Sequence, residues 1–90
     1  MFNSIGVICK PNDFTSQKTA LELGVLLKDL GVILLEDQQD FEKNADLIIV
    51  VGGDGTILNT ARTYVDFNIP ILGVNLGRLG FLADVSVDSM

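Results

Sequence analysis

Asp46-Leu47-Ile48-Ile49-Val50-Val51-Gly52-Gly53-Asp54-Gly55-Thr56 is the stretch that decides the fold. Leu47 to Val51 is apolar without interruption and dominated by β-branched residues, which favour strands. A strand with one wet face would alternate polar and apolar side chains. An unbroken run predicts a strand covered on both faces, as in a parallel sheet with helices on each side. Gly52 to Gly55 ends it sharply. From Thr56 onward, Ile57, Leu58, Ala61, Tyr64 and Val65 recur at helical spacing and predict one buried helix face.

Outward from this unit the pattern repeats. Ile5-Gly6-Val7-Ile8-Cys9 predicts a first strand. Pro11, Asn12 and Asp13 are turn formers, and Thr15 or Ser16 is placed to cap a helix. Ala20, Leu23, Leu27 and Leu30 share a helical stripe, and Gly31 suits the position just past its end. Val32 to Leu35 predicts a second strand. Glu36 to Asn44 is acidic and without a period, so it reads as a loop or frayed turn. Asn68-Ile69-Pro70 ends the second helix, and Ile71 to Val74 predicts a fourth strand. The order strand, helix, strand, strand, helix, strand predicts an α/β domain over 1–90: an open parallel, Rossmann-like sheet with helices on its faces. The stretch after Leu82 is acidic and unpatterned, and the stop at Met90 reads as a truncation.

Composition narrows the function. Six Lys and Arg stand against twelve Asp and Glu, a net charge of −6. That balance disfavours non-specific nucleic-acid binding, which phosphate neutralisation drives. It also means that a phosphate ligand must be held by local features, against the overall field. Cys9 is the only cysteine, so no internal disulfide forms, in keeping with a cytoplasmic protein. No stretch approaches the roughly 20 apolar residues of a membrane span, and Met1 to Ile5 lacks the features of a signal peptide. Histidine is absent, so general-base chemistry falls to a carboxylate, cysteine, lysine or tyrosine.

Gly52-Gly53-Asp54-Gly55-Thr56 lies between a strand and a helix, at the strand end where open α/β sheets bind ligands. A helix amino-terminus offers N–H groups and a positive dipole end to phosphate, and glycines allow close approach and positive φ. A carboxylate beside a phosphate is electrostatically costly. Asp54 therefore has two readings. It takes a proton from an attacking hydroxyl or helps hold Mg²⁺ between phosphates, or it merely caps the helix while the glycines make a tight turn. The segment is not a Walker loop, and Leu58 stands where a dinucleotide fingerprint has its third glycine.

A second loop, Asn75-Leu76-Gly77-Arg78-Leu79-Gly80-Phe81-Leu82, follows the fourth strand. It is close to a dinucleotide fingerprint, with Asn75 in place of the first glycine, and Asn tolerates left-handed backbone. Arg78 is a cation whose fork suits phosphate, or a solvated side chain. Leu79, Phe81 and Leu82 suit an adenine pocket, or plain packing. Lys10 and Asn12 follow strand one toward the same crevice. Arg62 reads as a surface residue, and Cys9 as a buried, inert thiol. No residue is assigned as a metal ligand.

Together these residues resemble the NAD kinase family, and the resemblance covers almost the whole chain. Ile5-Gly-Val-Ile-Cys-Lys-Pro11 is similar to the family's first strand. Asp46 to Arg62 is similar to its acidic motif and following helix, and Ile69 to Leu82 to its next strand and loop. Gly-Gly-Asp-Gly alone also occurs in diacylglycerol-type lipid kinases and phosphofructokinases; its pairing with Leu79-Gly80-Phe81-Leu82 is more specific. The resemblance implies phosphoryl transfer from ATP, or polyphosphate, to the 2′-hydroxyl of the adenosine ribose of NAD, with a divalent metal such as Mg²⁺. It implies Asp54 as general base, Asp54 and Gly55 as NAD contacts, and Gly52, Gly53, Gly55 and Thr56 as the phosphate site. Asn75, Gly77, Arg78 and Gly80 would belong to the nucleotide site, with Phe81 and Leu82 near the adenine. Arg78 sits where the family varies.

The resemblance also implies a β-rich carboxyl-terminal domain, absent after Met90, and a homo-oligomer, dimer or tetramer, formed through it. The stretch from Leu35 to Asp46 is shorter than in many members, and Asn59 stands where some carry a basic residue. Two rivals remain: a diacylglycerol-type lipid kinase, and a non-catalytic nucleotide-binding domain should the native chain end at Met90.

Overall fold

The computed structural model describes residues 3–35, 37–76 and 81–85, the last as backbone only. Its strands are β1 (Ser4–Cys9), β2 (Ile33–Leu35), β3 (Leu47–Gly52), β4 (Ile71–Asn75) and β5 (Phe81–Val85). Its helices are α1 (Phe14–Asp29), the short α2 (Phe41–Asn44) and α3 (Asp54–Thr63), with single 3₁₀ turns at Gln38–Asp40 and Val65–Phe67.

The sheet runs in the order β2-β1-β3-β4-β5. Strands β1 to β4 are mutually parallel, as the alternating pattern predicts. Beyond that pattern, the residues after Asn75 return to the sheet: β5 pairs antiparallel with β4, Asn75 opposite Phe81.

All six residues of β3 are buried. Their alternation divides the core in two. Leu47, Ile49 and Val51 pack with Ile5 of β1 and Leu27 of α1. Ile48 and Val50 face the other way, toward Phe41, Ile57, Ala61, Tyr64 and Ile71. The double burial read from the unbroken apolar run is therefore met by α1 on one face and by α2 and α3 on the other.

Local details depart from the sequence reading at several points. The residue capping α1 is Asp13, not Thr15 or Ser16; its carboxylate accepts from the Ser16 backbone N–H at 3.1 Å and from the Ser16 hydroxyl at 2.5 Å. A residue at N3 completes the cap, which shifts the helix start forward. Leu30 is exposed at the helix end instead of joining the stripe, whereas Gly31 past it adopts φ +85°, as expected. The second strand starts at Ile33, not Val32.

The acidic stretch, read as a loop or frayed turn, is turn and short helix over residues 38–44. Asp37 caps the turn at Gln38–Asp40, and α2 drives Phe41 into the core at 1% exposure. Helix α3 begins two residues earlier than Thr56, at Asp54, and Val65 lies on an exposed turn off its buried face.

Candidate functional site

The strand order places a switch point between β1 and β3. From β1 the chain moves outward to β2, and from β3 it moves the other way to β4. In such sheets the crevice outside the carboxyl ends of the two strands is the natural ligand position. Here the residue after β1 and the end of β3 meet directly. The Lys10 N–H donates to the Val51 carbonyl at 3.0 Å. A Cβ built on Gly52 would stand 3.3 Å from the Lys10 Cβ and 3.1 Å from the Thr56 side chain. Any side chain at Gly52 would therefore press on Thr56 and Lys10.

Gly53 and Gly55 are different. A Cβ at either would meet nothing within 4 Å. Neither has positive φ: Gly53 is extended, at φ −97° and ψ −175°, and Gly55 lies in the first turn of α3. The conformational reason that the sequence offers for these glycines does not apply. What they provide is bare backbone on either side of Asp54.

Asp54 is the first residue of α3, and the residue in the capping position is Gly53, which has no side chain to cap with. The capping role is thus not the geometry adopted. The Asp54 carboxylate turns toward β4, where its Oδ1 accepts from the side-chain amide Nδ2 of Asn75. Asn75 ends β4 in register with Gly52 and is 8% exposed. It has negative φ, so the left-handed tolerance that matched it to a fingerprint glycine is not used. The first intrahelical bond of α3 runs from Ile57 N–H to Gly53 carbonyl, so the N–H groups of Gly55 and Thr56 precede the helix ladder. A negative group is favoured at this end by the helix dipole.

On the β1 side of α3 lies a cleft of about 270 Å³, lined by Ile8, Cys9, Pro11 and Gln38 and by Thr56, Asn59, Thr60, Thr63 and Tyr64 of α3 and its end. The first turn of α3 thus serves two sides, Asp54 toward β4 and Thr56 toward the cleft. Thr60 and Thr63 spend their hydroxyls on the carbonyls of Thr56 and Asn59. Burial, with the charge of Glu42, pushes the Tyr64 phenol above its ordinary value, so it remains protonated at neutral pH. Thr56, Asn59, Thr60 and Thr63 recur at i, i+3, i+4 and i+7. That polar face was visible in the sequence, whereas Gln38 and Tyr64 come to the cleft only through the fold.

Gly52, Gly53, Asp54, Gly55, Thr56, Asn75 and Lys10 are therefore gathered at the carboxyl ends of the central strands β1, β3 and β4. Asn12 adopts a left-handed conformation in the turn after β1. Arg62 is exposed, as expected. Cys9 is half-buried among the apolar residues of the α1 face. Gly77, Arg78, Leu79 and Gly80 lie outside the described residues. Phe81 and Leu82 lie on β5, opposite Asn75 and Val74, with side chains outside the description. Among the described residues no three His, Cys, Asp or Glu side chains gather as a metal site, and no helix is long and apolar enough to cross a membrane.

Comparison with known proteins bears on this arrangement. The family model for the ATP-NAD kinase N-terminal domain matches residues 34–90. The chain is 73% identical to the NAD kinase of Hydrogenovibrio crunogenus, and the match covers all of this chain and 37% of that protein. It is 39% identical to the NAD kinase of Nitrosomonas eutropha, over all of this chain and 36% of the relative. For the NAD kinase of Nitrosomonas europaea the identity is 37%, with the same coverage. The chain thus spans a little over a third of the length of the curated relatives it matches. The match to the Hydrogenovibrio protein runs over 108 residues, against the 90 of this chain, so the relative carries residues within the span that this chain lacks.

Proposed function

The chain belongs to the NAD kinase family, and from that membership we propose that the whole protein transfers the γ-phosphoryl group of ATP, or of polyphosphate, to the 2′-hydroxyl of the adenosine ribose of NAD. The product is NADP. The observation that supports this is Asp54 at the head of α3, with Gly53 and Gly55 on either side opening onto unfilled space. Neither packing nor positive φ requires these two glycines, and within α3 Gly55 costs up to about 1 kcal/mol against Ala. Close approach of a ligand to the backbone accounts for both.

In this reading the ribose 2′-oxygen attacks the γ-phosphorus while its proton passes to the Asp54 carboxylate. The bond from the γ-phosphorus to its bridging oxygen breaks, and the electron pair leaves with ADP. The N–H groups of Gly55 and Thr56 face the phosphates at the positive end of α3. General-base assistance of this kind is worth roughly a hundred- to ten-thousand-fold in rate. The rest is positioning and neutralisation.

Family membership implies a divalent cation, Mg²⁺ foremost. The loop 52–56 offers one carboxylate, which fits an ion carried chiefly by nucleotide phosphates and touched by Asp54, not a protein cage. When bound, the ion supplies charge neutralisation on the transferred group. The reading includes a cytoplasmic location and a homo-oligomer assembled through a carboxyl-terminal domain.

Phosphorylation of a diacylglycerol is the rival chemistry. The pairing of the acidic loop with Leu79-Gly80-Phe81-Leu82 and the match to NAD kinases both favour the dinucleotide. The full-length protein with ATP-Mg²⁺ is expected to convert NAD to NADP and to leave diacylglycerol untouched. The Asp54→Asn variant is expected to lose at least about 100-fold in NADP formation with its circular dichroism unchanged. Turnover of lipid but not NAD, or near-normal activity of the variant, would refute the assignment.

A further inference from the structure

We propose that Asn75 is the positioning residue for Asp54: its side-chain amide, held at the buried end of β4, fixes the direction from which the carboxylate meets a ligand hydroxyl. The inference deepens the reading of Asp54 as proton acceptor and rests on it.

The geometry begins with strand alternation. Ile71, Gly73 and Asn75 project to the face of β4 covered by α3. Ile71 is buried beneath the helix. At Gly73 the helix comes close, since a Cβ there would fall 3.0 Å from two carbons of Ile57. Two strand residues advance about 6.6 Å, and the three helix residues from Ile57 back to Asp54 advance about 4.5 Å. The contact of Gly73 with Ile57 thus brings Asn75 beside Asp54. Glycine at 73 also sets a helix-to-sheet distance short enough for an asparagine side chain to span.

The donor is fitted to its task. Asn75 is buried and ends a strand paired on both sides, to β3 and to β5, so its backbone cannot drift. Asp54 is exposed and on a helix terminus, with two side-chain torsions to settle. A bond from the fixed partner to Oδ1 orders the mobile one. The amide is neutral, so it orients the carboxylate without the full opposing charge by which a lysine or arginine there would make it a weaker base. Misplacing a reacting group by about 1 Å costs on the order of 100-fold in rate, so orientation is where such a bond acts.

The test uses the full-length enzyme. Asn75→Ala is expected to lower kcat by about 10- to 100-fold and to change KM for NAD less than about threefold. Asn75→Asp keeps the size but loses the donor and opposes two carboxylates, so it is expected to fall below Asn75→Ala. A residue that only fills space would give the opposite order. A tenfold rise in KM with kcat intact would make Asn75 a ligand contact and overturn the proposal. Should Asn75→Ala not fold, Asn75→Leu, of similar size and without a donor, carries the same comparison.

A readout free of catalysis separates this inference from the one beneath it. The side-chain amide resonance of Asn75 in an NMR spectrum is expected to move in Asp54→Ala. An unmoved resonance overturns the positioning bond. Full turnover of Asp54→Asn overturns the proton-acceptor reading alone.

Discussion

The ring of Phe41 lies flat on the backbone of Gly6: a methyl group built there would fall 2.7 to 2.8 Å from three of its carbons. This contact joins α2 to β1 and closes the α3 face of the core, where Phe41 also meets Tyr64 at 6.3 Å between ring centroids. Phe41→Ala is therefore expected to cost about 3–5 kcal/mol. Gly6→Ala forces the ring aside and is expected to cost about 1–3 kcal/mol by overpacking. Urea denaturation of each variant measures both. A Phe41→Ala loss under about 1 kcal/mol would show that the contact is not part of the core.

Phe41 also shows where the sequence stops being legible. The buried run Leu47 to Val51 declares both of its faces through composition alone, and β3 lies where that run predicts it. Phe41 is a single aromatic within an acidic stretch, and nothing local says that a glycine 35 residues earlier leaves a place for it. The Asp54–Asn75 bond is hidden for the same reason. It needs β3 and β4 to be neighbours, with Gly52 opposite Asn75, and register across strands is not written in either segment. The loop 52–56 was legible as a candidate site, and as a turn from strand to helix, because composition, position after a strand and the following helix agree. The purpose of its glycines was not: packing bears on Gly52, while neither packing nor positive φ accounts for Gly53 and Gly55.

Gly31 offers a second stability test, this time of backbone. It follows α1 with φ +85°, in a region that side chains with a Cβ adopt at a cost. No atom lies within 4 Å of a Cβ placed there, so any penalty comes from conformation and not from collision. Gly31→Ala is expected to destabilise by about 1 kcal/mol, and Gly31→Asn by less, since Asn tolerates this region. Equal thermal midpoints for wild type and Gly31→Ala would contradict the assigned conformation.

Two surface carboxylates give the domain a pH dependence of definite sign. The Asp13 carboxyl is held below its ordinary value by the Ser16 hydroxyl and then the Ser16 N–H. Asp46 is held below by the N–H groups of Asn3 and then Ser4, a link between the starts of β1 and β3. A carboxyl depressed in the folded state stabilises above its unfolded value of about 3.9. That contribution is lost as pH falls through the lower folded value. Asp46→Ala and Asp13→Ala are each expected to lower the urea midpoint at pH 6. The gap to wild type should close as the pH falls from about 4 toward 2. A gap that stays constant over that range would show that ionisation plays no part in either contact.

The last prediction separates the glycines of the acidic loop by purpose. Gly52 is hemmed in by Thr56 and Lys10, with contacts of 3.1 to 3.3 Å awaiting any Cβ. Gly52→Ala must push against the Thr56 side chain and is expected to lower stability. Gly53 and Gly55 meet nothing, and neither has positive φ. Gly55→Ala adds a good helix former to the first turn of α3, so stability should hold or rise by up to about 1 kcal/mol. If the bare backbone exists to admit a dinucleotide, the same two methyl groups should obstruct it. Gly53→Ala and Gly55→Ala are then expected to raise KM for NAD by tenfold or more while the thermal midpoint stays within a few degrees. Calorimetric titration of NAD into the full-length variants gives the affinity directly. Undiminished binding in both would mean that the open space beside Asp54 serves something other than the nucleotide.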